Sequence, residues 1–349
     1  MPATQPNRIV VIDWSMIGDL VMLSPAIRAL RAEYPQAHLA VLGQPSSICV
    51  FKHDPSVDEL IPYDRSKGDY DLASFFASVR ALRRERFDLG FIFHNSLGSA
   101  LMAWLGGVRR RVGYRHEMRD ILLHHKYKLP RERIHLVEVK ARLLEQFGIE
   151  VTDLHEEVHA KKEGAKKWLV EKLGPNFGRT RPVVGISLGA TKPYKRWSAT
   201  SLNNFINQFP VNSCDFIFLG APGERELYEG VYSYNNSVVD LTGQTTIDEL
   251  MWVLDRVDLF VGPDSGPMHL AAGLNTPLVG LFGPTDPARC GPYEYARAEI
   301  IRSHRICQDC ETRHGKHVRQ CLHTIDHNEV FAGASQLLDR FHKGWNSRG

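Results

Sequence analysis

The stretch 262–274, GPDSGPMHLAAGL, follows the apolar run VDLFV and sets an acid, a hydroxyl, two glycines and a histidine within its first eight residues. The apolar run reads as a buried strand, so Asp264 and Ser265 stand at its carboxyl end, where the next helix begins. A helix start carries unpaired N–H groups and the positive end of the helix dipole. That arrangement holds an anion such as a phosphate. Gly266 leaves room for close backbone approach, Pro267 suits a first helical turn, and His269 adds a donor. The same residues would equally serve as a plain N-cap with His269 packed beside it, so this segment alone leaves both readings open.

Other strand ends favour the ligand. SLGATKPYKRWS places Thr191, Lys192 and Lys195 just beyond the strand VVGIS, and LGAPGERE places Glu224 and Glu226 beyond DFIFL. FGPTDP does the same with Thr285. Hydroxyls, lysines, backbone amides and a carboxylate converging on one sheet edge suit a nucleotide diphosphate, the acid accepting from ribose hydroxyls. There is no Walker sequence and no G-x-G-x-x-G after the first strand, which argues against ATPase and dinucleotide oxidoreductase chemistry.

Strand-like and helix-like segments alternate around these residues. RIVVIDW, AHLAVLG, VDELIPYD and FDLGFIFHN read as strands, with Asp13 inside the first; SMIGDL reads as a polar turn, and VMLSPAIRALRAEYP and ASFFASVRALRRER as helices. Such alternation implies βαβ crossovers and parallel sheets. The pattern restarts after KKEGAKKWLVEKLGPNFGRTRP, a charged helix running into a Gly/Pro/Arg connector, which divides the chain into domains 1–172 and 173–349. Two doubly wound α/β units predict a cleft between the carboxyl ends of their strands.

Bulk properties agree. At 349 residues, 43% hydrophobic and 24% charged, the chain has material for two cores of roughly 150 residues each. It has no long apolar run and no signal-peptide pattern at its start, so a cytoplasmic location is expected. The net charge is +3, but between Arg80 and Arg133 there are 13 Lys or Arg against 5 acids. This excess faces something anionic, and GGVRRRVGYRHEMRD reads as a basic binding loop.

SMIGDLVMLSPAIRALRAEYPQA, KRW, LGAPGERE and GPDSGPMHLAAGLNTPLVGLFGPTDP, in this order and spacing, resemble the family 9 glycosyltransferases, the ADP-heptose:lipopolysaccharide heptosyltransferases. HNSLGSALMAWLGGVRRRVGYRHEMRDILL is similar to the heptosyltransferase II branch, with Gly98 where that branch commonly has lysine. The resemblance implies a GT-B fold and inverting transfer of heptose from ADP-L-glycero-D-manno-heptose to the inner core of lipopolysaccharide, with no catalytic metal. It implies an enzyme held peripherally at the inner face of the inner membrane, with no nucleic-acid partner. By family correspondence Asp19 is the catalytic base and Lys195 the cation at the departing diphosphate. Thr191, Lys192, Asp264, Ser265, Gly266 and His269 would cradle the donor, with Glu226, or Glu224, at the nucleoside. Asn95, Arg111 and Arg115 would meet the acceptor's negative charges.

The alternatives are a family 9 transferase with another acceptor, a further core sugar or a protein hydroxyl, and a GT-B-like sugar-nucleotide epimerase. CQDCETRHGKHVRQC supplies Cys307, Cys310 and Cys321, which with Cys290 upstream could hold a structural metal or remain as thiols.

Overall fold

The computed structural model describes residues 5–65, 71–116, 118–175, 180–190, 192–234, 236–303 and 321–342. The chain divides into two compact units, Met1–His159 and Ala160–Gly349. The division falls ahead of the break at 172/173 read from composition. The charged helix that was to close the first domain packs instead within the second unit, where Trp168 meets Trp252 edge to face at 5.9 Å.

In the first unit the order is β1 (Arg8–Ile12), α1 (Ile17–Val21), α2 (Ser24–Glu33), β2 (His38–Gly43), α3 (Pro45–Ile48), β3 (Glu59–Pro62), α4 (Leu72–Glu85), β4 (Leu89–Ile92), α5 (Leu97–Leu105), β5 (Arg110–Tyr114), β6 (His125–Tyr127) and α6 (Leu136–Phe147). The strands form one parallel sheet ordered β3-β2-β1-β4-β5-β6. β1 and β4 are buried apolar runs, as strands covered by helices on both faces must be. Two expectations change here. SMIGDL is largely helical, forming α1, and the basic stretch GGVRRRVGYRHEMRD contains β5, because RRVGY pairs in register with β4 and β6.

The second unit repeats the plan: α7 (Ala165–Leu173), β7 (Val183–Ser187), α8 (Ala199–Ile206), β8 (Asp215–Leu219), β9 (Ser237–Asp240), α9 (Ile247–Leu254), β10 (Leu259–Pro263), α10 (Gly266–Gly273), β11 (Leu278–Phe282), α11 (Pro287–Cys290), β12 (Ala298–Arg302) and α12 (His327–Phe341). Its parallel sheet is ordered β12-β11-β10-β7-β8-β9. Both sheets therefore reverse strand order beside their first strand, between β1 and β4 and between β7 and β10. Ligands of open α/β sheets bind at the carboxyl side of such switch points. β7, β8, β10 and β11 are buried throughout, and α10 is buried along most of its length.

Candidate active site

At the switch point of the second sheet, Asp264 is the residue after β10 and is buried. Its Oδ2 lies 2.6 Å from Nζ of Lys195, which ends the 3-10 turn Pro193–Lys195 beyond β7. Its Oδ1 lies 3.4 Å from Nε2 of His269, itself buried on the first turn of α10. Burial opposes ionisation of this carboxyl, but His269 and the Lys195 charge prevail and hold it well below the ordinary carboxylate range. Lys195 is steered there by its neighbours. Trp197 is anchored in the core against Phe205, and Arg196 Nε donates to the Ala190 carbonyl at 3.1 Å.

The hydroxyls at the same sheet edge are unusual. Oγ of Ser187 at the end of β7, Oγ of Ser265 at the N-cap of α10 and Oγ1 of Thr285 after β11 are buried without a hydrogen-bond partner. Buried hydroxyls are ordinarily satisfied, and Ser265 does not spend its oxygen on capping α10. The plain N-cap reading of this segment therefore fails, and the hydroxyls suit the oxygens of a polar ligand.

Sequence reasoning grouped Cys290 with the late cysteines. In the structure it ends α11 with Sγ 3.9 Å from Asp264 Oδ2, so it belongs to this cluster. Thr191, Cys307 and Cys310 lie outside the described residues, as does the side chain of Cys321. Among the described residues no group of three or more His, Cys, Asp or Glu is placed to hold a metal. Lys192 and Glu226 are exposed. Glu224 folds back to accept from Ala221 N at 2.8 Å, capping the 3-10 helix Pro222–Tyr228 and filling the space over Gly189.

At the switch point of the first sheet, Asp19 lies partly exposed in the first turn of α1. Asp13 is not inside the strand but just beyond it, buried, with Oδ2 2.9 Å from Lys140 Nζ of α6 and Oδ1 accepting from Ser15. Against the cost of burial, the Lys140 charge and the Ser15 hydrogen bond keep the Asp13 carboxyl below its usual range. His94 follows β4 and its ring lies 4.5 Å from Trp14; burial pushes its pKa down to about 4.

Asn95 is held by a residue that sequence reasoning did not single out. Arg119 is fully buried, and its guanidinium donates to Asn95 Oδ1 at 2.8 Å, the His94 carbonyl at 2.7 Å and the Tyr114 carbonyl at 2.7 Å. Arg111 is the second of the residues expected to meet the acceptor. It sits in the first half of β5, away from the carboxyl edge, and its guanidinium donates to the carbonyls of Leu122 and Val108. It braces the strand. Arg115, one residue beyond β5, is exposed with Asp120 3.7 Å away.

Two such doubly wound parallel sheets make up the GT-B fold. The sequence signature of glycosyltransferase family 9 (heptosyltransferase) matches residues 75–319, and the chain belongs to that family. It is 30% identical over 308 residues to lipopolysaccharide heptosyltransferase 2 of Escherichia coli K12, covering 84% of this chain and 88% of that protein. The structure of E. coli ADP-heptose LPS heptosyltransferase II superposes with a TM-score of 0.76 at 26% identity, covering 95% of this chain and 99% of that one. A crystal structure of a family 9 glycosyl transferase from Veillonella parvula superposes with a TM-score of 0.81 at 22% identity, covering 96% and 97%. No helix among the described residues is long and apolar enough to cross a membrane.

Proposed function

We propose that the protein transfers heptose from ADP-L-glycero-D-manno-heptose to the lipopolysaccharide inner core with inversion, working at the cytoplasmic face of the inner membrane. The observation that carries this reading is the Lys195–Asp264–His269 cluster, set among unsatisfied hydroxyls in a chain whose relatives are named for this donor and acceptor. Asp19 takes the proton from the attacking hydroxyl, which enters opposite the departing diphosphate. One carboxylate suffices, because no covalent sugar intermediate forms. Lys195 meets the negative charge that grows on the β-phosphate as the glycosidic bond breaks. Ser265 and Gly266, with Thr191 and Lys192, hold the diphosphate at the start of α10. Glu226 meets the nucleoside, since Glu224 is engaged as a cap. Asn95 and Arg115 bind the acceptor's anionic groups.

No catalytic metal is needed in this scheme. One oxygen of Asp264 pairs with Lys195 and the other faces Nε2 of His269, so among the described residues the cradle offers no carboxylate pair for magnesium. The test is ADP release and product mass with ADP-heptose and a heptosylated Kdo-lipid A acceptor, with and without chelator. Asp19→Asn should lower kcat by ~10²–10⁴ and leave donor affinity within a few fold. Near-normal turnover of this variant would remove Asp19 from the mechanism, and transfer only to some other acceptor would reassign the substrate.

A further inference from the structure

The helix α5, LGSALMAWL, is apolar on every side, a composition ordinarily found in helices buried all round. It is not buried all round. Ser99, Ala100, Met102 and Ala103 face the core, while Leu97 and Trp104 are exposed, Trp104 to 50%. The neighbouring elements extend that surface. α4 packs on one side of α5 and exposes Leu72 and Phe76, one turn apart; the 3-10 turn Arg119–Leu122 packs on α5 too and exposes Ile121, which is 85% accessible.

Cations border this apolar surface. Arg80 and Arg84 are exposed on α4, and Arg83 is held there, its Nε donating at 2.7 Å to the Leu105 carbonyl at the end of α5. An exposed apolar patch rimmed by basic residues marks an interaction site. Exposed Trp104 and Phe76, with exposed arginines along α4, match the interface of an anionic bilayer. At nine residues α5 is far short of the ~20 needed to span, so it can only lie along the surface. The patch also adjoins the proposed acceptor edge. α5 starts directly after Asn95 and Ser96, and the Arg119 side chain ties the apolar turn to Asn95.

We propose that the α4–α5–Ile121 face docks on the anionic phospholipid surface that carries the acceptor, presenting the carboxyl edge of the first sheet to a membrane-anchored substrate. This rests on the acceptor assignment above. A second copy of the chain is the poorer occupant, because two-fold pairing of the patch would set arginines against arginines.

The test is co-sedimentation of the full chain with vesicles of phosphatidylcholine alone or mixed with phosphatidylglycerol, without donor. Wild type should bind the anionic vesicles, with binding weakened by salt. Phe76→Ser/Trp104→Ser should lower partitioning by roughly tenfold or more, while turnover on a deacylated, water-soluble acceptor stays unchanged. Arg80→Gln/Arg83→Gln/Arg84→Gln should abolish the preference for anionic over neutral vesicles and provides an independent check. Equal vesicle binding by wild type and both variants would overturn the proposal. So would light scattering that shows a dimer dissolved by the Phe76/Trp104 variant, without vesicle binding by wild type. Vesicle binding is read without catalysis, so failure of heptosyl transfer and failure of docking remain separate results.

Discussion

Lys195 and Asp264 form a charge pair in surroundings dry enough for each to depend on the other. Lys195→Ala should lower kcat roughly ten- to a hundredfold, as expected if a charge-assisted hydrogen bond of ~1.5–3 kcal/mol forms mainly in the transition state. The donor KM should rise less than kcat falls, and magnesium should not rescue. Single-turnover kinetics will check this, and unchanged kcat with only a raised KM would move the role to Lys192 or Arg196. Asp264→Asn should share part of the defect, because it releases the lysine. His94 supplies a different test. Its folded pKa of about 4 lies below the ordinary 6.5, so the unfolded chain takes up the proton first. Stability from this group is full above pH 6.5 and is lost as pH falls towards 4, by at most about 3 kcal/mol. Urea unfolding at neutral and mildly acidic pH should show a smaller acid loss in His94→Gln than in wild type. An identical loss in both would remove His94 as the cause.

Among the elements, the turns after the strands decide the site. The 3-10 helix Pro222–Tyr228 is positioned by Glu224, whose carboxylate occupies the space over Gly189: a Cβ built there would stand 2.0 Å from it. Gly189→Ala should therefore expel the glutamate and cost about 1 kcal/mol, the usual worth of a helix cap, with a raised donor KM. Glu224→Ala should cost the same, and the double variant little more, because both remove one interaction. Strictly additive losses in thermal unfolding would refute this coupling. Strands and long helices were legible because burial imposes their periodicity. In sequence β5 reads as a loop because its charges sit at the start of an otherwise buried run. Arg111 looks like a binding group in sequence, and Arg119 stands unmarked in the same basic stretch, yet inside the fold they donate to carbonyls and, from Arg119, to Asn95.

For the molecule as a whole, the 13-to-5 excess of basic residues between Arg80 and Arg133 predicts unequal salt sensitivity. Acceptor KM should rise steeply from low to physiological ionic strength, whereas donor KM should change little, because direct hydrogen bonds to the diphosphate are screened less than long-range attraction. Equal slopes for both substrates would contradict it. Two doubly wound sheets, and the placement of Asp19, Lys195 and Asp264 in segments that follow strand ends, are legible in the order of residues alone. The end of each parallel strand marks the same sheet edge, so order along the chain already carries this information. Which groups meet at that edge depends on packing between distant segments. Lys140 reaches Asp13 across 127 positions, Lys195 reaches Asp264 across 69, and Cys290 lies beside Asp264 across 26. Periodicity reports which face of an element is buried, whereas the partner of a buried charge is chosen by how the crossovers pack, and that is written in no single stretch of the chain.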